Sequence, residues 1–366
     1  MLFFALFFAC GSPTDSVVDL ERTGSSGETS TFEPWRESLP AADMVGAADW
    51  TGDGVDERVR FVGEKAFWNS GSIELGGAPQ VIRRVELSDG ERLLVGTGMH
   101  RGNRESLARV WSFGPNGAEK LWESAAWSEI CDPLSKACPP PGVRNQIADI
   151  RVLDGRVYIS RFTGQKEVRG GFLVDGEIQE VHGGGLVTQQ IPVADDRVLV
   201  GRVYGEKPRS DGDLRLIQGG KAIQLPSLRG VRTLTLENLD SDPELELLVG
   251  DGWHYAYGQQ AVGRVFLLDG PLWKQGRTLA VLDGEYSARS IEVASKLTGG
   301  DPSTSGLLVT GTKKVHFLTR DALGWADRVV APTTETGNAV LVRTPKGLAA
   351  WVAGTPNTRL VGLDEQ

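Results

Sequence analysis

The chain has 366 residues, 40% apolar and 24% charged, with 47 glycines and 18 prolines, a balance that describes a turn-rich globule with ample material for a core. Its formal net charge is −9 and it contains no run of Lys or Arg, which excludes nucleic-acid partners held by a basic field, because phosphate contacts need clustered cations. Phosphate loops, dinucleotide fingerprints on a strand-to-helix turn, zinc-protease helices and paired Cys-x-x-Cys motifs are all missing, so no known catalytic signature marks it as an enzyme.

The apolar stretch from Met1 to Cys10 is too short to span a bilayer but long enough for the core of a signal peptide. Ala9-Cys10-Gly11 resembles the bacterial lipobox, which implies a lipid on Cys10 and a mature protein that begins there. Residues 11–40 are acidic and rich in Gly, Ser, Thr and Pro, with little to bury, and are expected to form a disordered tether. The folded domain is expected over residues 41–366.

At Asp49 begins a loop with oxygen side chains at its first, third, fifth and ninth positions, Asp49, Thr51, Asp53 and Glu57, with Val55 at the seventh and Gly54 at the sixth. A hard cation wants six to eight oxygens, and a tight turn bent at a glycine supplies them from alternate residues. A strand-like run, RVRFVG, follows from Arg58. Similar runs begin near Leu93 (LLVGTG), Arg156 (RVYISR), Val198 (VLVGRV), Leu247 (LLVGDG), Leu307 (LLVTGT) and Leu348 (LAAWVAG), which sets a period of about 48 residues, the length of a four-stranded propeller blade. The alternation is mostly of period two, and helical periodicity is nearly absent.

Ahead of the Leu247 run the acidic loop recurs. Asn238, Asp240, Asp242 and Glu246 stand at the same four relative positions, but Pro243 replaces the glycine and holds φ near −65°, which makes this copy the poorer fit. Both loops with their strands resemble FG-GAP/VCBS repeats, and the repeat resemblance covers roughly residues 44–363, although the acidic motif itself is clear in only two units. The stretch Thr298-Gly299-Gly300-Asp301-Pro302 looks like a third copy that has lost its ligands. The resemblance implies an all-β fold, a seven-bladed β-propeller with six or eight blades as alternatives, in which the acidic loops join first to second strands and hold structural Ca2+.

On that strand order, loops between second and third strands open on the opposite rim. There lie His100, Arg101 and Arg104, and also Trp253, His254, Tyr255 and Tyr257, each group entered through the frame Leu-Leu-Val-Gly-x-Gly-x-His. Long polar and aromatic loops on a rigid scaffold are where binding function concentrates, so these residues are the candidate binding rim. The two repeated histidines are read as structural groups bonded to backbone, since the units carrying them stand nearly opposite on the ring. Asp251 beside His254 could orient an imidazole, and His182 and His316 show no ligand spacing.

Cys131 and Cys138 close an eight-residue loop and are read as a disulfide, because export implies an oxidising compartment and two thiols without a nearby His make poor zinc spacing. The last unit shows three strand candidates, near Val340, Leu348 and Leu360, and the missing fourth is expected from the N-terminal side, around Thr31 to Trp35. Together these readings describe an exported, lipid-anchored protein of the bacterial cell envelope that binds or scaffolds a protein or glycan ligand. The alternative is a propeller hydrolase or lyase acting on an extracellular polysaccharide through acidic residues in the central channel.

Overall fold

The computed structural model describes residues 36–99, 107–126, 145–162, 169–174, 177–183, 187–194, 197–204, 211–226, 230–240, 242, 244–252, 262–321 and 324–363. The fold is a β-propeller: antiparallel meanders in which the first strand lies innermost and the fourth lies at the outer edge. The strands form six hydrogen-bonded sheets, five of four strands and one of eight. The eight-stranded sheet consists of two meanders, residues 78–123 and 145–183, joined only where Asn145 and Gln146 pair with Met99 and Gly98.

Each of the seven runs read from the sequence is the second strand of a meander: Glu57–Val62, Gly90–Met99, Arg156–Phe162, Arg197–Tyr204, Glu246–Asp251, Leu307–Thr310 and Gly347–Val352. Where such a strand is packed on both faces by neighbouring sheets, as at Leu93, Leu247 and Leu307, it reads as a continuous apolar stretch, whereas Glu57–Val62 keeps its alternation. Leu93, Leu94 and Val95 are all buried, as are Leu247, Leu248 and Val249. Phe61, Ile82, Leu93 and Phe113 form one such inter-sheet core, and the Phe113 ring stands nearly perpendicular to those of Phe61 and Trp68, with centroids 6.1 and 5.6 Å away.

The repeated frame Leu-Leu-Val-Gly-x-Gly has a packing cause. A Cβ on Gly98 would lie 2.3 Å from the Asn145 carbonyl oxygen, and one on Gly252 would lie 2.2 Å from that of Tyr286. At both positions the backbone of the next meander touches the strand directly, and only glycine allows that approach. The same frame therefore makes the Gly98–Gln146 pairing and the isolated bridge between Gly252 and Ser287.

The ring closes through the N-terminal side. Arg36–Ala42 is the outermost strand of the last sheet and pairs antiparallel with Gly354–Gly362, Arg36 opposite Val361 and Ser38 opposite Arg359. The three other strands of that sheet cover Val340, Leu348 and Leu360, as read. Thr31 to Trp35 lie outside the described residues, and the strand that completes the sheet begins just after them. This corrects the tether boundary, because residues 36–40 are strand. Most of that strand is solvent-exposed and includes Pro40, both of which an edge strand tolerates, so its polar composition disguised it.

Candidate functional site

The two acidic loops occupy the expected places, between Met44–Ala48 and Glu57–Val62 and between Val231–Glu237 and Glu246–Asp251. They share one device: the backbone N–H after the first ligand position, Trp50 or Leu239, donates to Oε2 of the ninth-position glutamate, Glu57 or Glu246. Beyond that they differ. In the first loop Thr51 Oγ1 donates to the other Glu57 oxygen at 2.7 Å, while Asp49 accepts backbone N–H groups of Gly52, Asp53 and Gly54. Gly52 and Gly54 both have positive φ, as the bend needs.

In the second loop the residue matching Thr51 is Asp240, which has no hydroxyl to donate. Glu246, 1% exposed, is left with Oε1 buried and without a hydrogen-bond partner. Burial pushes the Glu246 carboxyl upward, and the nearby charges of Asp240 and Asp269 add to this against the Leu239 N–H. Asp240, Asp242 and Glu246 each bring a carboxylate oxygen within 4.8 Å of the others, the one such acidic cluster among the described residues. The loop that the proline argument ranked second thus gathers its acids, whereas the first satisfies its glutamate with a threonine. Asn238 does not point its amide oxygen elsewhere in the chain's core: Oδ1 accepts the Asp240 N–H at 3.2 Å and Nδ2 donates to the Asp242 carbonyl.

The innermost strands carry a second constellation that sequence reading missed. A cavity of about 150 Å3 opens at the ring axis, lined by Ala47, Arg83, Arg84, Arg151, Thr233, Glu292 and Lys296 with apolar neighbours including Leu93 and Leu341. Asp149, fully buried, sits between two guanidinium groups, accepting from Arg83 Nη2 at 2.8 Å and Arg151 Nε at 2.8 Å. Asp56, also fully buried, is held between Arg84 and Arg343. Arginines also tie non-adjacent meanders together: Arg151 donates to the Leu234 carbonyl at 2.7 Å and Arg84 to the Leu341 carbonyl at 3.1 Å. Glu292 accepts the Leu341 N–H at 2.7 Å, and its carboxyl is pushed upward by burial against that bond and the charges of Arg84 and Arg83. The signal that could have found this site was Ile82-Arg83-Arg84-Val85, two adjacent cations in a strand that the propeller places innermost.

A third cluster lies at the sheet formed by Ser290–Val293, Leu307–Thr310, Lys314–Asp321 and Gly324–Pro332. His316 is buried, with Nδ1 3.0 Å from Asp327 and Nε2 4.0 Å from Glu285. Burial pulls the His316 imidazole down, but Asp327 and Glu285 outweigh it and raise it to about 9. Burial likewise pushes Glu285 up, but His316, the Thr312 hydroxyl and the Lys313 N–H hold it down at about 2. His316 therefore does have acidic partners, brought to it across strands and invisible as sequence spacing. Asp251, for its part, forms a two-point pair with Arg264.

The candidate rim residues His100, Arg101, Arg104, Trp253, His254, Tyr255 and Tyr257 lie outside the described residues, as do Cys10, Cys131 and Cys138. By chain order the two rim groups do fall between second and third strands, after Gly90–Met99 and after Glu246–Asp251.

No protein-family model matches the chain, and no curated protein sequence matches it. Among solved structures it is similar to BBS1N, crystallised in complex with ARL6DN, at 14% identity over 91% of this chain and 96% of that one, with a TM-score of 0.53. The N-terminal domain of Nup159 aligns at 10% identity over 88% of this chain and 90% of that one, with a TM-score of 0.46. The first likeness shows the fold, a β-propeller, and nothing further.

Proposed function

We propose that the chain is an exported, lipid-anchored, seven-bladed β-propeller of the FG-GAP/VCBS repeat type that binds or scaffolds a protein or glycan ligand at the cell surface or in the periplasm, with calcium in a structural role. The observation that carries the binding role is the closed ring: Arg36–Ala42 pairs with Gly354–Gly362, so loops at both rims spring from a fixed scaffold. Counting seven blades divides the eight-stranded sheet at its two-residue junction, which uses the same glycine frame as the Gly252–Ser287 bridge between two sheets that stay separate. Calcium is assigned to Asp240, Asp242 and Glu246, where buried Glu246 Oε1 lacks a donor and a cation would replace one. Export and anchoring rest on Ala9-Cys10-Gly11. No described helix is long and apolar enough to cross a membrane.

The enzyme alternative draws on free acids in the central channel. Glu292 is the one acid on the cavity wall, where it feels the charges of Arg84 and Arg83, and Asp56 and Asp149 behind it are each clasped by two arginines, which favours the binding role. The test is capture from a membrane extract by the wild-type chain and by one with residues 253–257 replaced by Gly and Ser. A specific partner retained by the first and lost by the second supports the reading, and identical profiles, or depolymerisation of a polysaccharide by the purified chain, overturn it.

A further inference from the structure

Four cationic side chains, Arg83, Arg84, Arg151 and Lys296, line the axial cavity, against one carboxyl, Glu292. The acids that balance these cations stand behind them. Asp149 serves both Arg83 and Arg151, Asp56 serves Arg84 together with Arg343, and Glu237 contacts Lys296. Cationic side chains therefore outnumber acidic ones on the wall itself. These cations are not sealed off: their side chains keep 24, 19, 18 and 54% exposure respectively. Arg84 also keeps one guanidinium nitrogen, Nη1, buried without an acceptor, which is costly for a charged donor.

Size fits chemistry. A cavity of about 150 Å3 matches the engineered voids that take up benzene, so an ion of a few non-hydrogen atoms has room. Apolar cavities of that size stay dry, whereas this one is walled by three arginines, a lysine and Thr233, with Arg84 Nη1 still lacking an acceptor. The like charges crowd one another: burial and the Arg151 charge pull Lys296 downward, and burial and the Arg83 charge pull Arg151 downward against Asp149. A bound anion would relieve that repulsion.

We propose that the axial cavity is a binding site for a small oxyanion of the phosphate or carboxylate class, held by Arg83, Arg84, Arg151 and Lys296. Glu292, the one acid on its wall, opposes the anion and tunes its affinity. The site is independent of the rim loops and of calcium.

The test is calorimetric titration of the full chain at constant ionic strength with inorganic phosphate and, separately, malonate, with glycerol as the neutral control. Saturable binding of either anion is expected, and which one binds identifies its source. Lys296→Gln, on a half-exposed side chain of a one-turn helix, should fold and weaken that binding about tenfold, while Glu292→Gln should tighten it about tenfold. If neither anion gives a saturable isotherm up to about 10 mM, or if wild type and Lys296→Gln bind equally, the proposal fails.

Discussion

Arg343 and Asp56, 287 residues apart in sequence, are bonded through both side chain and backbone: Arg343 Nε donates to Asp56 Oδ1 at 2.9 Å, its backbone N–H to Oδ2 at 2.8 Å, and the Asp56 N–H to the Arg343 carbonyl at 3.1 Å. Arg84 joins the same carboxylate from the second meander, so Asp56 ties three meanders at the point where the ring meets itself. Removing one partner of a buried pair strands the others without compensation. Asp56→Ala should therefore cost about 3–5 kcal/mol in urea unfolding. Lys65→Ala, which breaks an exposed pair with Glu74, should leave the melting temperature unchanged, and equal losses would show that the junction is no special tie.

The His316 cluster predicts a pH optimum. His316 has its folded-state value raised from 6.5 to about 9, so its contribution is fully present below 6.5 and is lost as pH climbs through 9. Glu285 is depressed from 4.5 to about 2, so its contribution is fully present above 4.5 and is lost as pH falls through 2. The pair is thus at full strength between about 4.5 and 6.5, and the alkaline limb amounts to about 3 kcal/mol. Chemical denaturation at a series of pH values should show wild type losing that amount between pH 6.5 and 9 and His316→Gln losing none of it. Parallel curves for the two proteins would remove His316 from the account.

The calcium assignment makes a prediction with two signs. Asp240→Asn removes the like charge facing Glu246 and supplies an amide donor, as Thr51 supplies a hydroxyl in the first loop. In chelator the variant should be more stable than wild type, by about 1 kcal/mol. Added calcium should raise the melting temperature of wild type by mass action and leave the variant unmoved. A variant that is weaker in chelator, or that keeps the calcium response, contradicts the assignment.

Cys10→Ser should release the protein from membranes without changing its melting temperature, since 25 residues rich in Gly, Ser and Thr separate Cys10 from the strand at Arg36–Ala42. Fractionation with mass analysis of the mature N-terminus checks this. Variant protein recovered with membranes sinks the lipid anchor.

The second strands at Leu93 and Leu247 were legible because burial on both faces writes itself as Leu-Leu-Val, and Gly98 and Gly252 mark where the next meander touches. Arg36–Ala42 was not, because an exposed edge strand needs no apolar pattern. The acidic loops were found by spacing, but their order depended on one side chain, Thr51 against Asp240, whose effect appears only once Glu57 and Glu246 are placed beside them. Arg83, Arg84, Arg151 and Lys296 come from three meanders, and period two alone cannot distinguish a residue facing a central channel from one facing solvent.

Every functional reading rests on a ring closed by the N-terminal strand, and a pair of truncations measures that directly. Deleting residues 11–28 leaves Arg36–Ala42 in place, whereas deletion from residue 11 through residue 42 bares the edge of Gly354–Gly362 for pairing with other chains. Light scattering and urea unfolding should find the shorter deletion as soluble and stable as the full chain, and the longer one destabilised and aggregating. Equal solubility and stability of the two would show that the ring does not depend on that strand.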